Sequence, residues 1–251
     1  MDELRPPQGA QAALRAVRIL KLFTIERPEM SLAQLSRASG LNKTTTHRLL
    51  RALQSEGLIE RNPLTSAYSL GAVLMALGVQ ALACSDLRRR VRPLLNTLAN
   101  ESGETATLEV PIEDSMLVLD EVTGRHVVGV GGHVGTRWPL HATSTGKAFM
   151  AFDGYGLERL PDSLEALTSR TLVNKDSYRP ILADIRRRGY AVTVDELEDG
   201  FTAVATVIRT PLGDVQGALS VCGPTQRLPS TRTAELGASL CRVASRLSPE
   251  S

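Results

Sequence analysis

Apolar positions first fall into a regular pattern over Ala10 to Glu26, where Leu14, Val17, Leu20 and Phe23 recur at steps of three. That spacing predicts a helix with one apolar stripe, ended by Pro28. Ser31 and Gln34 stand three apart as a Ser-x-x-Gln capping box, opening a short helix over 31–38 that Gly40 breaks. Asn42 caps a third helix over 43–56, closed by Gly57. Two short helices joined by a tight turn make a helix-turn-helix. Over 58–70 the period changes, and LIER and YSL read as short strands around the turn-rich NPLTSA. Three helices closed by such a hairpin predict a winged helix-turn-helix.

From Ala72 to Asn100 the helical period returns, with Leu74, Leu77, Leu82, Leu87, Leu94 and Leu98 on the apolar side. Pro93 and the Ser85-Asp86 pair are expected to divide it into a linker helix and a second helix. Beyond Gly103, TATLEVPI, SMLVLDEV and HVVGVGGHV predict strands. Lys147–Phe152 begins a helix and Arg179–Arg188 forms another, stopped by Gly189. YAVTVDE, FTAVATVIR and VQGALSVCG predict three further strands. A last helix over Thr231 to Arg246 carries Leu236, Leu240, Val243 and Leu247 on one side. The fold class is α+β, with helices packed outside an antiparallel sheet. The expected division is a winged helix-turn-helix over 9–71, a linker helix over 72–84 and a second domain over 85–248.

Composition adds bounds. The 251 residues are 42% hydrophobic and 22% charged, an ordinary soluble balance with room for two modest cores. No run of about 18 apolar residues crosses a membrane, and the first residues carry acids and prolines where a signal peptide would be basic and then apolar. Cys84, Cys222 and Cys241 are too scattered for a disulfide framework, so the expected location is cytoplasmic. The net charge of +2 hides an asymmetry: +4 over residues 1–70, +3 over 71–100 and −5 over the remainder. A basic first third suits a polyanion, although uneven surface charge alone gives the same sums.

On a wheel of the third helix, Thr46, Leu49, Leu50 and Leu53 face inward. Thr44, His47, Arg48 and Arg51 fall at i, i+3, i+4 and i+7 on the other side, with Lys43 and Thr45 beside them. This acid-free face suits a DNA groove, where Arg forks onto guanine edges and Thr or Lys meets phosphate. Ser31 at the preceding cap and Arg61 in the hairpin complete the candidate DNA contacts. A solvated helix face is the plainer alternative, and the coupling to a capped turn and a hairpin weighs against it.

Other signals are weaker. Thr145-Gly146-Lys147-Ala148 lacks the earlier glycine and the hydroxyl of a phosphate loop, and GVGGHVG lacks the third glycine of a dinucleotide fingerprint. The four histidines show no zinc spacing, so neither metal nor cofactor is expected.

The stretch SLAQLSRASGLNKTTTHRLLRALQSEGLIER followed by YSLG resembles the DNA-binding half of the IclR family of bacterial transcriptional regulators. SGETATLEV, VGTRWPLHATSTGKAFMA, RRRGYAV, EDGFTAVAT and GALSVCGP are similar to its carboxyl half. The resemblance implies a winged helix, a linker helix and a GAF-like effector domain. It also implies a homodimer or homotetramer on a palindromic double-stranded operator, responding to a small organic acid. Carried over by position, the effector's carboxylate would meet the N–H groups at Ser144 and Thr145, a helix amino terminus suited to an anion. Ser220 and Cys222, two apart on one strand, would face the same ligand, with apolar walls from Val130, Trp138, Phe201 and Ala203. Thr193 stands where relatives often carry Asp, and Trp138 where a smaller aliphatic is common. Losing an acid while gaining an aromatic suggests a larger, aromatic or amphipathic carboxylate. Three classes stay open at this point: a ligand-responsive regulator without catalytic activity, an enzyme using Cys222 in the carboxyl domain, and a constitutive DNA binder.

Overall fold

The computed structural model describes residues 9–24, 27–126 and 133–247, and the chain divides into two compact units, Met1–Cys84 and Ser85–Ser251. The first contains α1 (Gln11–Leu20), β1 (Glu29–Met30), α2 (Leu32–Ser39), α3 (Lys43–Ser55), β2 (Ile59–Arg61), β3 (Tyr68–Leu70) and α4 (Ala72–Ala83). The capping box forms as expected: the Ser31 hydroxyl accepts from the Gln34 N–H while the Gln34 side chain accepts from the Ser31 N–H. Gly40 ends α2 in the left-handed region at φ +68°, which a side chain would strain. The Asn42 side chain accepts from the Thr45 N–H at 2.8 Å and starts α3.

Three antiparallel strands in the order β1-β3-β2 close the unit, one more than the expected hairpin. Its core is Ile19, Phe23, Met30, Leu35, Leu49, Leu50, Leu53, Ile59 and Tyr68. Two expectations for α1 fail. The helix stops at Leu20, well before Pro28, and Val17 is half exposed while Ile19 is the fully buried residue. Steps of three drift about 60° per step around a helix, so Leu14, Val17 and Leu20 do not share one face. In α4 no residue is buried, and Val73, Met75, Leu77 and Val79 are all exposed.

The second unit begins with α5 (Asp86–Ser102), β4 (Thr105–Ile112) and β5 (Ser115–Val122), followed by β6 (Arg137–Pro139), α6 (Ser144–Phe152) and α7 (Tyr178–Arg188). It continues with β7 (Ala191–Val194), β8 (Phe201–Arg209), β9 (Val215–Pro224) and α8 (Ser230–Ser245). The sheet runs β6-β5-β4-β9-β8-β7, antiparallel throughout. The HVVGVGGHV stretch falls mostly on 127–132, outside the described residues. Pro93 does not divide the helical stretch: it lies exposed inside α5, whose buried stripe of Val91, Leu95, Leu98 and Ala99 runs past it. Packing along that stripe outweighs the one N–H that proline lacks, and only the break at Cys84–Ser85 remains.

Strand period sorts the sheet into two faces. Ala106, Leu108, Val204, Ile208, Leu219 and Val221 pack on α5 and α8 through Leu95, Leu98, Leu240 and Val243. On the opposite face Ala191, Ala205, Val207 and Ala218 meet α6 and α7 through Phe149, Met150, Tyr178, Leu182 and Ile185. That second face is built largely of alanine, and next to the alanines it turns polar.

Candidate functional site

Register places the polar positions together. Thr193 pairs with Ala203, Ala203 with Cys222 and Cys222 with Thr105; in the neighbouring row Ala205 pairs with Ser220 and Ser220 with Thr107. Glu109 continues that face of β4. Small side chains at 203 and 220 leave a gap beneath α6, and its amino-terminal turn covers the gap. The resulting cavity of about 30 Å³ is lined by Thr107, Glu109, Trp138, Thr143, Ser144, Thr145, Thr193, Leu197, Phe201, Ala203, Ser220 and Cys222. Eight of the nine candidate effector residues therefore meet in one place: Trp138, Ser144, Thr145, Thr193, Phe201, Ala203, Ser220 and Cys222. The ninth, Val130, lies outside the described residues.

At the covering turn, the Thr143 hydroxyl caps α6 by accepting from the Gly146 N–H at 3.1 Å. The Ser144 and Thr145 N–H groups find no acceptor among the described residues, and the hydroxyls of the buried residues Ser144 and Thr193, both in the cavity lining, find no partner there either. Unpaired donors buried at a helix amino terminus call for an acceptor or an anion. Gly146 fits by close approach: a Cβ there would sit 2.3 Å from the Leu140 carbonyl oxygen. The Gly146-Lys147 pair thus serves packing rather than a phosphate. Lys147 is buried and donates to Glu196, with the Tyr178 ring 5.6 Å away. Burial pushes the Lys147 ammonium down and the Glu196 carboxyl up, and their mutual attraction offsets part of both shifts. This pair ties α6 to the loop after β7 that carries Leu197 into the cavity wall.

Thr107, Glu109, Thr143 and Leu197 were missed from the sequence. For two of them the signal was present: Thr105, Thr107 and Glu109 alternate with Ala106 and Leu108, giving a central strand one polar face. Glu109 is 5% exposed. Its oxygens accept from the Thr107 hydroxyl at 3.0 Å and the Thr145 hydroxyl at 2.6 Å. Burial raises its carboxyl above the ordinary glutamate range, and the two hydroxyls pull it back in part. Burial likewise pushes the Cys222 thiol up, with Glu109 adding to the effect, which suppresses the thiolate a nucleophile needs. Among the described residues no His, Cys, Asp and Glu side chains group to hold a metal.

In the first unit, α3 buries Thr46, Leu49, Leu50 and Leu53 and exposes Lys43, Thr44, His47, Arg48 and Arg51, with Thr45 half-buried. None of Lys43, Arg48 and Arg51 has an acidic partner among the described residues. Ser31 is half-buried, and its hydroxyl is engaged with Gln34. Arg61 is exposed on β2 with its guanidinium 5.7 Å from the Tyr68 ring centre.

Residues 79–249 match the family model described as bacterial transcriptional regulator IclR C-terminal, and residues 12–63 match the IclR helix-turn-helix domain. The chain belongs to the IclR family of bacterial transcriptional regulators. Like other IclR-family proteins it is a DNA-binding regulator and not an enzyme. It is 34% identical to the glycerol operon regulatory protein of Streptomyces griseus, over 88% of this chain and 87% of that one. An IclR transcriptional regulator from Silicibacter sp. TM1040 superposes with a TM-score of 0.84 at 27% identity, covering 94% of each chain. An IclR homologue from Microbacterium hydrocarbonoxydans, crystallised with 4-hydroxybenzoate, gives 0.72 at 26% identity, over 93% of this chain and 97% of that one.

Proposed function

We propose that this IclR-family regulator binds a near-palindromic operator as a dimer or dimer of dimers and senses a small organic acid in the cavity under α6. In this reading residues 9–71 read DNA, 72–84 form the linker and 85–248 hold the effector. The observation that carries the sensing half is the set of unpaired donors at Ser144, Thr145 and Thr193, buried beside the apolar surfaces of Trp138, Leu197 and Phe201. An acid's carboxylate would take the α6 donors, with Ser220 and Cys222 beneath it. The 4-hydroxybenzoate held by the Microbacterium relative favours the aromatic carboxylates that Trp138 suggests. A cavity of about 30 Å³ admits roughly one or two water-sized groups, so such a ligand must push its walls apart. The displaced walls give it the differential affinity that shifts a conformational population.

For the DNA half, Lys43, Thr44, Thr45, His47, Arg48 and Arg51 would enter the major groove, with Arg61 on a flanking phosphate and Ser31 fixing the approach of α2. Two such helices in a dimer reach successive major grooves about 34 Å apart. The exposed apolar α4 favours a second copy as its cover. A regulator of this kind works in the cytoplasm, where its operator is.

The test is binding of the full chain to its own upstream DNA and to random DNA at two salt concentrations. A preference of about a thousandfold or more is expected, since specific regulators exceed their non-specific affinity by at least that ratio. Equal, salt-sensitive binding to both would overturn operator recognition. Carboxylates added to the complex should then release or tighten it.

A further inference from the structure

We propose that Glu109 restricts the effector to acids that carry a hydrogen-bond donor, a hydroxyl or an ammonium, in addition to their carboxylate. The inference rests on the cavity under α6 being the effector site. Glu109 is an acid inside a pocket otherwise built to receive an acid. It is fully lined by the pocket's own groups, with Thr107 on one oxygen and Thr145 on the other. Among the described residues no cation faces it; the groups around it are hydroxyls, the Cys222 thiol and apolar walls.

Two features make this selective. Each carboxyl oxygen has two acceptor sites and receives one hydroxyl, so each keeps a site open. A buried acceptor left open is costly, and a ligand donor removes that cost. The second feature is proximity. Thr145 contributes both an unpaired N–H at the α6 terminus and the hydroxyl that reaches Glu109, so a carboxylate on that N–H lies one side chain away from Glu109. Two carboxyl groups that close in a desolvated pocket cannot both stay ionised without a donor or cation between them. An acid without a donor binds only against repulsion or with Glu109 protonated to donate to it, whereas a ligand donor is accepted by Glu109 in its ionised form. A hydroxyl fills one of the two open sites, and an ammonium, with three donors, can fill both.

Trp138 is the chain's only tryptophan and lies in the cavity wall, so its fluorescence reports binding directly. The full chain would be titrated with two matched sets: propionate, lactate and alanine, then benzoate, 2-hydroxybenzoate, 4-hydroxybenzoate and 4-aminobenzoate. In at least one set the hydroxyl or amino member should bind tenfold or more tighter than the parent acid. Glu109→Met should erase that preference. Glu109→Gln, which keeps the shape and one acceptor oxygen, turns the other into an N–H donor and removes the charge, should hold the hydroxyl preference within a few-fold and lose the ammonium preference. If lactate or a hydroxybenzoate wins and alanine does not, the donor is a hydroxyl; the reverse assigns an ammonium. Parent acids binding as well as their partners, or a preference unchanged in Glu109→Met, would overturn the role of Glu109 and leave the effector site standing. No binding by any member would overturn the effector site and the inference together.

Discussion

Glu109 is the residue whose chemistry reaches furthest. A folded protein keeps a buried acid without a cation at a cost in stability, and such residues concentrate where a ligand is handled. Because burial raises its carboxyl, the folded state favours the protonated form. The stabilisation is therefore present below the ordinary glutamate value of 4.5 and lost as pH rises through the higher folded value. Glutamine does not titrate, so the melting temperature of Glu109→Gln should exceed that of the parent by more at pH 8 than at pH 5; an equal difference at both would mean Glu109 ionises freely. In the DNA half, Arg48→Ala should relax base preference at a cost of about 1–3 kcal/mol, whereas Arg61→Ala should weaken all DNA alike and lower the salt slope by about one. Competition binding across operator variants separates the two effects. Single side chains such as Arg48 were legible because the helical wheel places them without help from the rest of the fold. Glu109 was not, since its meaning depends on which strand lies beside β4.

Among the elements, α6 joins the site to the core. Its first turn offers the free donors, and its fourth residue, Lys147, is buried against Glu196. Breaking a buried pair by removing one partner strands the other charge, and Lys147→Met should cost about 3–5 kcal/mol. Pairing it with Glu196→Leu should recover most of the loss, as chemical denaturation would register; a double variant as unstable as the single one would place the damage in packing instead. The two-residue β1 and three-residue β6 carry too few positions to show a period of two, so no pattern announced them. Pro93 misled for the opposite reason: a strong local signal was overruled by the buried stripe of α5.

For the whole molecule, the question is what covers α4. It is apolar, carries no charge and, among the described residues, has no buried side chain. Adding a charge at its most exposed positions, as Met75→Glu with Val79→Glu, should shift the protein toward monomers in sedimentation. The same change should cut operator affinity by roughly the avidity of two half-sites, a factor of about 100 or more. Unchanged sedimentation would mean that α4 is not a contact between copies of this chain.

Local rules sufficed wherever a short stretch determines its own geometry: the Ser31–Gln34 box, the Gly40 turn, the inner and outer faces of α3, and the turn-bounded strand runs of β8 and β9. Motif likeness pointed to the positions that line the cavity under α6, without the distances or the partners among them. Only the tertiary structure decided that Thr107 and Ser220 meet across two strands, that Lys147 is spent on Glu196, and that an acid lines the cavity. The reason is physical. Helix and turn geometry depends on residues a few positions apart, whereas strand register puts Glu109 and Cys222 on one face of the sheet and the packing of α6 on that face adds Thr145, all from segments far apart in the chain. A site built on that register becomes visible only once the sheet has formed.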